Sequence, residues 1–297
     1  MEVVFLGTGS MVPTVQRNAT SILISYKNEN LMVDCGEGTQ KQLRYANISP
    51  AKITRILITH WHGDHVFGLP GLLTSIAKFA PEKKIEVYGP IGSSKYLNIL
   101  LSSYVPFEKA NLKLHEIINN GVFFENEDFI LKAFRLEHTT TCLGYVLIEK
   151  DRRNVDVNYV KKFGLKQHPI LRDLQQGRDI MWNGKKILAK NATKIKKGKT
   201  ISIVLDSKAC RNIITNVKNS DLLICEATLG DEFEEKADVY KHLTASQSAK
   251  IAKDSSVKKL ILTHFSQRYK NVDNLVKDAR KIFKNTLAAE DLMKVLV

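Results

Sequence analysis

The sequence lacks the features of a membrane protein or of a disulfide-stabilised secreted protein. No apolar run approaches the roughly 20 residues that a membrane-spanning helix needs. The 4 cysteines (Cys35, Cys142, Cys210 and Cys225) are scattered without CxxC spacing, which indicates reduced thiols. The first residues predict a strand and carry no basic segment of a signal peptide. We therefore expect no membrane association and a cytoplasmic location.

A complete dinucleotide-binding loop is also missing. The first predicted strand is followed by Gly7-Thr8-Gly9, but the third glycine of the GxGxxG pattern is absent. The residues that come next, Asn18 to Tyr26, predict another strand rather than a helix. The sequence therefore argues against a nicotinamide or flavin cofactor, and it contains no internal repeats or low-complexity linkers.

Acidic residues are scarce in one part of this basic chain, whose formal net charge is +14. Residues 150–199 contain 15 Lys and Arg but only 4 Asp and no Glu, an excess of 11 positive charges. Clustered basic residues bind phosphate backbones by releasing counterions, which favours a nucleic-acid-binding surface. A solvated, lysine-rich insertion without a partner is the alternative interpretation of the same composition.

The chain does contain a dense cluster of metal-ligating side chains. Three imidazoles and one carboxylate fall within six residues, in the run His60-Trp61-His62-Gly63-Asp64-His65. The run directly follows an apolar segment that predicts a buried strand. Neutral imidazole suits zinc and similar metals, and a carboxylate in the same set favours a catalytic centre over a closed structural one. This HxHxDH pattern is more specific than a chance cluster of histidines on a loop.

Further candidate ligands come at the ends of other predicted strands. Each of His138, Asp206 and His264 directly follows an apolar, strand-like run. Because ligands gather at strand ends in layered α/β folds, we expect these side chains to join the first cluster. The seven expected metal ligands, which suit two ions with Asp206 as the bridge, are His60, His62, Asp64, His65, His138, Asp206 and His264. We do not expect His115 or His168 to bind metal.

The hydrophobic pattern predicts strands alternating with helices in two comparable sets. The predicted strands span residues 2–7, 20–26, 30–34, 53–59, 84–88, 112–117, 129–136, 143–149, 200–205, 221–225, 259–263 and about 292–297. The predicted helices span about 38–47, 68–80, 93–104, 209–218, 244–255 and 272–284. This order fits an α/β fold with two sheets packed face to face and helices outside. Residues 150–199 do not follow this alternation of strands and helices. They predict a basic arm with two short helices, Val155–Phe163 and Pro169–Gln176.

These residues carry a resemblance to a known family. The HxHxDH run, followed by a histidine, an aspartate and a last histidine at strand ends, resembles the metallo-β-lactamase superfamily. Within it, the chain resembles the short form of ribonuclease Z, an endonuclease family that trims the 3′ ends of precursor tRNA. The resemblance runs nearly end to end and rests on Phe5-Leu-Gly-Thr-Gly-Ser, Asp34-Cys-Gly-Glu-Gly-Thr-Gln, residues 59–73, Glu226-Ala-Thr, His242-Leu-Thr and Thr263-His-Phe-Ser-Gln-Arg-Tyr.

The resemblance implies a four-layer αββα sandwich, formed by a single domain over residues 1–297 with a tRNA-binding arm inserted at about 150–199. It implies a zinc-dependent endoribonuclease that removes the 3′ trailer of precursor tRNA, leaving a 3′-hydroxyl on the tRNA and a 5′-phosphate on the trailer. Two Zn²⁺ ions per chain are expected, with Mn²⁺ or another divalent ion as alternatives, and so is a homodimer. The arm residues expected to contact tRNA are Lys161, Lys162, Lys166 and Arg172.

Hydrolysis of a phosphodiester also needs a positioned water and a proton for the leaving oxygen. Asp64 is expected to orient or deprotonate the water in addition to binding metal. Glu226 ends an apolar strand, where a carboxylate is costly unless it is paired, and a Glu226–His242 pair can hold a proton near neutral pH. The alternatives are that Glu226 only orients a metal-bound histidine and that His242 only flanks a helix.

Three further residues are expected to bind the substrate. The segment Pro13-Thr-Val-Gln-Arg17-Asn18 resembles the PxKxRN loop of ribonuclease Z, which handles tRNA near the cleavage site. Arg17 and Asn18 match, whereas Val15 occupies the lysine position, which puts one phosphate contact or the control of CCA-containing tRNA in question. Arg268 lies in the last motif. In the arm, His168 replaces the glycine of the family's Gly-Pro pair, which leaves the geometry of the arm tip open.

Two other classes of function remain open from the sequence. One is another hydrolase of the superfamily, such as an arylsulfatase, a lactonase or a cyclic-nucleotide phosphodiesterase, which shares the ligands but has little use for a basic arm. The other is a non-enzymatic RNA-binding protein on an inactive scaffold, against which the intact set of seven ligands argues.

Overall fold

The computed structural model describes residues 1–105 and 109–297, which form two compact units. The first unit comprises Met1–Phe124, Leu131–Leu147 and Thr200–Val297, and the second comprises Glu125–Ile130 and Ile148–Lys199. No helix within the described ranges has both the length and the apolar character needed to cross a membrane.

Most of the strands belong to two seven-stranded sheets, ordered β20-β1-β3-β4-β5-β6-β7 and β19-β17-β16-β15-β10-β9-β8. The strands are β1 (Glu2–Gly7), β2 (Gly9–Ser10), β3 (Ser21–Tyr26), β4 (Glu29–Val33), β5 (Arg55–Leu57), β6 (Lys84–Pro90), β7 (Asn111–Ile117), β8 (Gly121–Glu125), β9 (Phe129–Leu136), β10 (Cys142–Glu149), β11 (Arg152–Val155), β12 (Ile180–Trp182), β13 (Lys185–Ile187), β14 (Thr193–Lys196), β15 (Thr200–Val204), β16 (Leu222–Glu226), β17 (Leu260–Thr263), β18 (Phe265–Ser266), β19 (Thr286–Ala288) and β20 (Lys294–Leu296).

Helices lie between the strands along the chain. They are α1 (Thr39–Tyr45), α2 (Gly63–Val66), α3 (Leu69–Phe79), α4 (Ser93–Ser102), α5 (Val157–Lys161), α6 (Leu171–Gln175), α7 (Ala189–Ala192), α8 (Arg211–Asn216), α9 (Glu234–Tyr240), α10 (Ala245–Asp254) and α11 (Asp273–Ile282). The boundaries follow local chemistry. For example, α10 begins with a capping box in which Thr244 and Gln247 satisfy each other's backbone amides.

The first unit has four layers. The two sheets pack against each other, and the buried Tyr145 of β10 donates a hydrogen bond of 2.6 Å to the backbone oxygen of Ile58, directly after β5. On the first sheet, α1 and α3 contribute Leu43, Leu72 and other apolar side chains to a core shared with β1, β3 and β5. On the second sheet, α10 packs against β16, β17, α8 and α11. The αββα sandwich predicted from the sequence is therefore confirmed.

Three parallel strands of the second sheet explain why so many polar residues meet. β15, β16 and β17 are buried on both faces, so they are almost continuously apolar, as parallel strands covered on both sides must be. They pair in parallel. Their carboxyl ends therefore lie side by side, and the polar residues that follow each strand come together.

The second unit has a small core of its own. Two-stranded pairs, β11 with β14 and β12 with β13, combine with α5, α6 and α7. Its buried side chains are Val160, Leu165, Leu174, Ile180, Ile187, Ala189 and Ala192. The two helices predicted for the arm correspond to the shorter α5 and α6.

Candidate metal centre

The carboxyl ends of three strands and the segment after β5 supply the predicted ligands. The connection from β5 through α2 carries the four ligands of the HxHxDH motif. His138 follows β9, Asp206 follows β15 and His264 follows β17. Asp206 and His264 have positive φ values of 27° and 59°, so the chain turns sharply where these two side chains enter the site.

The first group of donor atoms contains three histidines and one carboxylate oxygen. His60 Nε2 lies 2.9 Å from His62 Nδ1, which in turn lies 3.3 Å from His138 Nε2. Asp206 Oδ2 is 3.7 Å from both His60 Nε2 and His138 Nε2. These spacings place four donor atoms around one point, as a single metal ion requires.

The second group lies on the other side of Asp206. Asp64 Oδ2 is 3.6 Å from both His65 Nε2 and His264 Nε2. The second oxygen of the bridge, Asp206 Oδ1, is 3.4 Å from His65 Nε2 and 3.1 Å from His264 Nε2. Each carboxylate oxygen of Asp206 thus faces a different group of histidines, which is the arrangement expected of a ligand shared by two ions.

Unsatisfied polar atoms show that these residues fit a divalent metal. His65 Nε2, His264 Nε2 and Asp206 Oδ1 are buried, and each lacks a hydrogen-bond partner in residues 1–105 and 109–297. Buried polar groups are nearly always satisfied, so three orphaned atoms that face one another indicate that a missing group completes them. Imidazole nitrogens with carboxylate oxygens are the donor set of zinc-class catalytic centres.

The outer nitrogens of His60 and His65 are held by residues that sequence reasoning missed. His65 Nδ1 donates to Asp34 Oδ2 at 2.6 Å, and His60 Nδ1 lies 3.0 Å from Thr59 Oγ1. Thr59 donates in turn to the same Asp34 oxygen. These contacts fix the tautomers that leave each Nε2 facing the centre. A carboxylate directly after an apolar strand was the available signal for Asp34.

The ligands from the second sheet are oriented in the same way. His138 Nδ1 donates to the backbone oxygen of Lys241 at 3.1 Å. His264 Nδ1 lies 2.9 Å from Thr228 Oγ1, whose hydroxyl donates to Glu226 Oε2. Nothing in the sequence singles out Lys241, since the contact that orients the His138 ring is made by its backbone oxygen.

Burial and neighbouring charges together set the charge of the ligands. Burial lowers the pKa of His60 and of His138, which keeps both imidazoles in the neutral form that binds metal. Burial alone would raise the pKa of Asp206, but the nearby His264 and His65 hold the pKa of this carboxyl well below its usual range. The bridge is therefore ionised.

Glu226 and His242 form the predicted pair next to the ligands. Glu226 is fully buried at the end of β16 and accepts a hydrogen bond from the backbone amide of Ser207 at 2.7 Å. Its Oε2 lies 3.1 Å from His242 Nδ1. Burial by itself lowers the pKa of His242, but the Glu226 carboxylate raises that pKa to about 9. His242 can therefore carry a proton at neutral pH. Its Nδ1 lies 3.9 Å from Asp206 Oδ2.

Comparison with known proteins identifies the family. Ribonuclease Z of Bacillus cereus (strain B4264) is 38% identical over 300 residues, which cover 98% of this chain and 98% of that protein. Ribonuclease Z of Bacillus mycoides (strain KBAB4) is 37% identical with the same coverage. The chain belongs to the ribonuclease Z family. The family predicted from the sequence motifs is thus confirmed, and the chain is a metal-dependent endoribonuclease of ribonuclease Z type.

Solved structures agree with this assignment. The crystal structure of human tRNase Z, short form, has 28% sequence identity and a TM-score of 0.73, and the likeness covers 100% of this chain and 99% of that chain. The metallo-β-lactamase fold protein YhfI from Bacillus subtilis has 17% identity and a TM-score of 0.72, with 99% and 98% coverage, and shows the fold alone. Residues 1–155 also match the family model described as Anti-Pycsar protein Apyc1. This match ends before Asp206.

The loop that resembles the ribonuclease Z PxKxRN segment is tied to the protein by its own polar residues. Arg17 Nη1 donates to the backbone oxygen of Tyr269 at 2.5 Å, and Asn18 Nδ2 donates to that of Glu37 at 2.7 Å. The amide of Met11, in the same loop, donates to Asp64 Oδ2 at 2.7 Å. The structure therefore shows Arg17 and Asn18 holding a loop that touches a ligand. Their contact with substrate stays a prediction.

The other expected substrate-binding residues are exposed. Arg268 places its guanidinium 4.5 Å from the ring centre of Phe233 and donates from Nε to Ser266 Oγ. In the second unit, an exposed basic set contains Lys161, Lys162, Lys166 and Arg172. Within the described ranges no ion pair joins these four to an acidic side chain, whereas the four aspartates of residues 150–199 are all paired with other lysines or arginines.

Proposed function

We propose that this ribonuclease Z removes the 3′ trailer from precursor tRNA, leaving a 3′-hydroxyl on the tRNA and a 5′-phosphate on the trailer. The observation that carries the proposal is the Glu226–His242 pair beside Asp206, since a ribose 3′-oxygen is a poor leaving group that needs a proton. The basic composition of residues 150–199 supports a nucleic acid as the substrate.

The centre would hold two Zn²⁺ ions, with Mn²⁺ or another divalent ion as alternatives. His60, His62 and His138 would bind one ion, Asp64, His65 and His264 the other, and Asp206 both. Two bound divalent ions would supply a nucleophile at neutral pH and neutralise the charge that grows on the phosphoryl oxygens.

The chain's own side chains position the water and deliver the proton. Burial alone would raise the pKa of Asp64, but the nearby imidazoles of His264 and His65 hold the pKa of this carboxyl below its usual range, so the carboxylate is ionised and can orient the attacking water. Glu226 binds His242 at Nδ1, so the transferable proton sits on Nε2. His242 would donate that proton to the leaving 3′-oxygen. Glu226 would keep the proton on His242 until that step.

Further residues would bind the rest of the tRNA. The exposed basic set of Lys161, Lys162, Lys166 and Arg172 is proposed to contact phosphates of the tRNA body, while Arg17, Asn18 and Arg268 act near the cleavage site. A homodimer and a cytoplasmic location remain predictions. Sedimentation of the purified chain tests the first, and fractionation of cells tests the second.

The deciding experiment incubates the metal-loaded protein with a 3′-extended tRNA transcript and maps both product ends. One cut after the acceptor stem, with a 3′-hydroxyl and a 5′-phosphate, is expected. A transcript without the tRNA fold and a cyclic nucleotide serve as competing substrates. Preferential hydrolysis of the cyclic nucleotide, or cleavage of the unstructured transcript at the same rate, would contradict the proposal.

A further inference from the structure

Lys241 has an unusual backbone conformation next to the site. It ends α9 with φ 55° and ψ 54°, the left-handed region that favours glycine. It is half-buried and immediately precedes His242. A lysine is a costly choice at such a position, because its Cβ strains the turn. Its Nζ makes a contact that glycine could not make.

Two contacts join Lys241 to the metal ligand His138. The backbone oxygen of Lys241 accepts a hydrogen bond of 3.1 Å from His138 Nδ1. Its Nζ donates a second bond of 3.1 Å to the backbone oxygen of His138. The residues are 103 positions apart, so neither contact is a local feature of helix or turn. Together they form a closed ring that fixes both the imidazole and the backbone of His138.

The first contact decides which nitrogen of His138 faces the centre. With its hydrogen on Nδ1 and bound to Lys241, His138 presents Nε2 to His62 Nδ1 and Asp206 Oδ2. Such partners of a ligating histidine fix its ring orientation and strengthen metal binding.

The left-handed turn also places His242. Directly after it, the amide of His242 donates to the backbone oxygen of Ala237 at 2.8 Å, and the imidazole reaches Glu226. The rings of His138 and His242 lie 5.2 Å apart between centres. A movement of Lys241 would therefore displace a metal ligand and the proposed proton donor together.

We propose that Lys241 is a positioning residue that holds the metal ligand His138 and the proton donor His242 in their relative positions. Its ammonium, bound to the His138 backbone, locks the left-handed turn in place. The part that concerns His242 rests on the proposed function, whereas the part that concerns His138 rests on the metal centre alone.

Three substitutions of Lys241 distinguish the effect of its backbone conformation from the effect of its side chain. Lys241→Met removes the ammonium but keeps the length, Lys241→Arg keeps a donor, and Lys241→Gly removes the side chain while relieving the turn. Lys208→Met is the matched control, because Lys208 Nζ binds Asp238 of α9 at 2.9 Å, and within residues 1–105 and 109–297 no hydrogen bond or ion pair joins its side chain to the seven ligands. Each variant is titrated with Co²⁺, and its visible absorption and Zn²⁺ affinity against a chromogenic chelator are recorded.

We expect Lys241→Met and Lys241→Gly to bind metal about 10–100-fold more weakly, with an altered Co²⁺ spectrum. Lys241→Arg should restore both properties, and Lys208→Met should match the unsubstituted protein. On precursor tRNA, Lys241→Met should lower kcat more than it raises KM. Because the glycine variant relieves strain, its loss of metal affinity cannot be attributed to poorer folding.

Two results would overturn the inference. One is unchanged metal affinity and an unchanged Co²⁺ spectrum in both Lys241→Met and Lys241→Gly. The other is a rise in KM for tRNA alone, with metal binding intact, which would make the ammonium a direct phosphate contact. The metal measurements need no substrate, so they remain decisive even if the protein fails to cleave tRNA.

Discussion

Burial keeps two of the metal-binding histidines neutral, whereas a carboxylate keeps a proton on His242, which lies outside the ligand set. Burial lowers the pKa of His60 and His138 and leaves them neutral, whereas Glu226 raises the pKa of the half-buried His242 to about 9. Neutral imidazole is a ligand and protonated imidazole is an acid. Two chemical roles therefore arise from one residue type, because His242 lies outside the set of seven ligands and has the buried Glu226 carboxylate bound to its Nδ1.

The proton-donor role of His242 predicts a dependence on the leaving group. His242→Ala should lower the rate on precursor tRNA by roughly 10²–10⁴-fold, the usual contribution of a general acid. A nitrophenyl phosphodiester, whose phenolate departs without a proton, should be hydrolysed at nearly the original rate. Turnover on both substrates and metal content are the measurements. Equal losses on both substrates would mean that His242 positions the phosphate or the metals instead.

The Glu226–His242 pair also predicts the pH profile. The proton on His242 is present below its raised pKa of about 9 and is lost above it, so activity on tRNA should fall as the pH rises through that value. In Glu226→Gln the carboxylate that raises the pKa is gone, and this falling limb should move toward the ordinary imidazole value of about 6.5. Rates between pH 5 and 10 test this. A limb that stays near its original pH in Glu226→Gln would exclude His242 as the titrating group.

At the residue scale, the sequence predicts the groups that face the metals better than those that hold them in place. The seven ligands follow apolar strands, a pattern visible without a structure. Asp34, Thr59 and Thr228 act through tertiary hydrogen bonds to outer imidazole nitrogens. A threonine near a ligand has many possible partners, and only the packing of one sheet on the other decides which nitrogen it meets.

At the scale of elements, hydrophobic pattern predicts what is buried and misses what is not. β15, β16 and β17 were predictable because their side chains are buried on both faces. β8 was missed because its residues are only partly buried, and α9 because its face toward the protein is narrow, with only Ala237 buried. Strands β11 and β14 of the second unit were missed for the same reason, since Thr193 is the one buried residue among their eight.

The exposed basic set on α5, α6 and the segment between them predicts salt-dependent tRNA binding. Replacing Lys161, Lys162, Lys166 and Arg172 by Gln should weaken tRNA affinity and flatten the slope of log Kd against log salt by roughly 3, because each neutralised phosphate contributes about 0.7–0.9. Hydrolysis of a nitrophenyl diester should be unchanged. Four other exposed lysines are the matched control: Lys250, Lys253, Lys277 and Lys284. If both sets of substitutions lower tRNA affinity equally, only net charge matters.

At the scale of the whole first unit, the metal centre joins the two sheets. The HxHxDH ligands follow β5 of the first sheet, whereas His138, Asp206 and His264 follow strands of the second. Each group of donor atoms draws on both sheets, so neither sheet could hold an ion by itself. Since the histidines and Asp206 come together only in the folded chain, metal binding and folding must be linked.

This linkage predicts that metal stabilises the fold and that Asp206 is needed for it. Metal at about 100 times its Kd should add about 2.7 kcal/mol to the free energy of unfolding, because it binds the folded state alone. The unfolding midpoint, measured by calorimetry with and without Zn²⁺, should therefore rise by several degrees. Asp206→Asn should lose most of this rise, since both groups share that carboxylate, whereas Asp254→Asn, on the exposed side of α10, should keep it. If the unfolding midpoint of the unsubstituted protein does not change with Zn²⁺, the seven side chains do not hold an ion. A full rise in Asp206→Asn would show that Asp206 is not the bridging ligand.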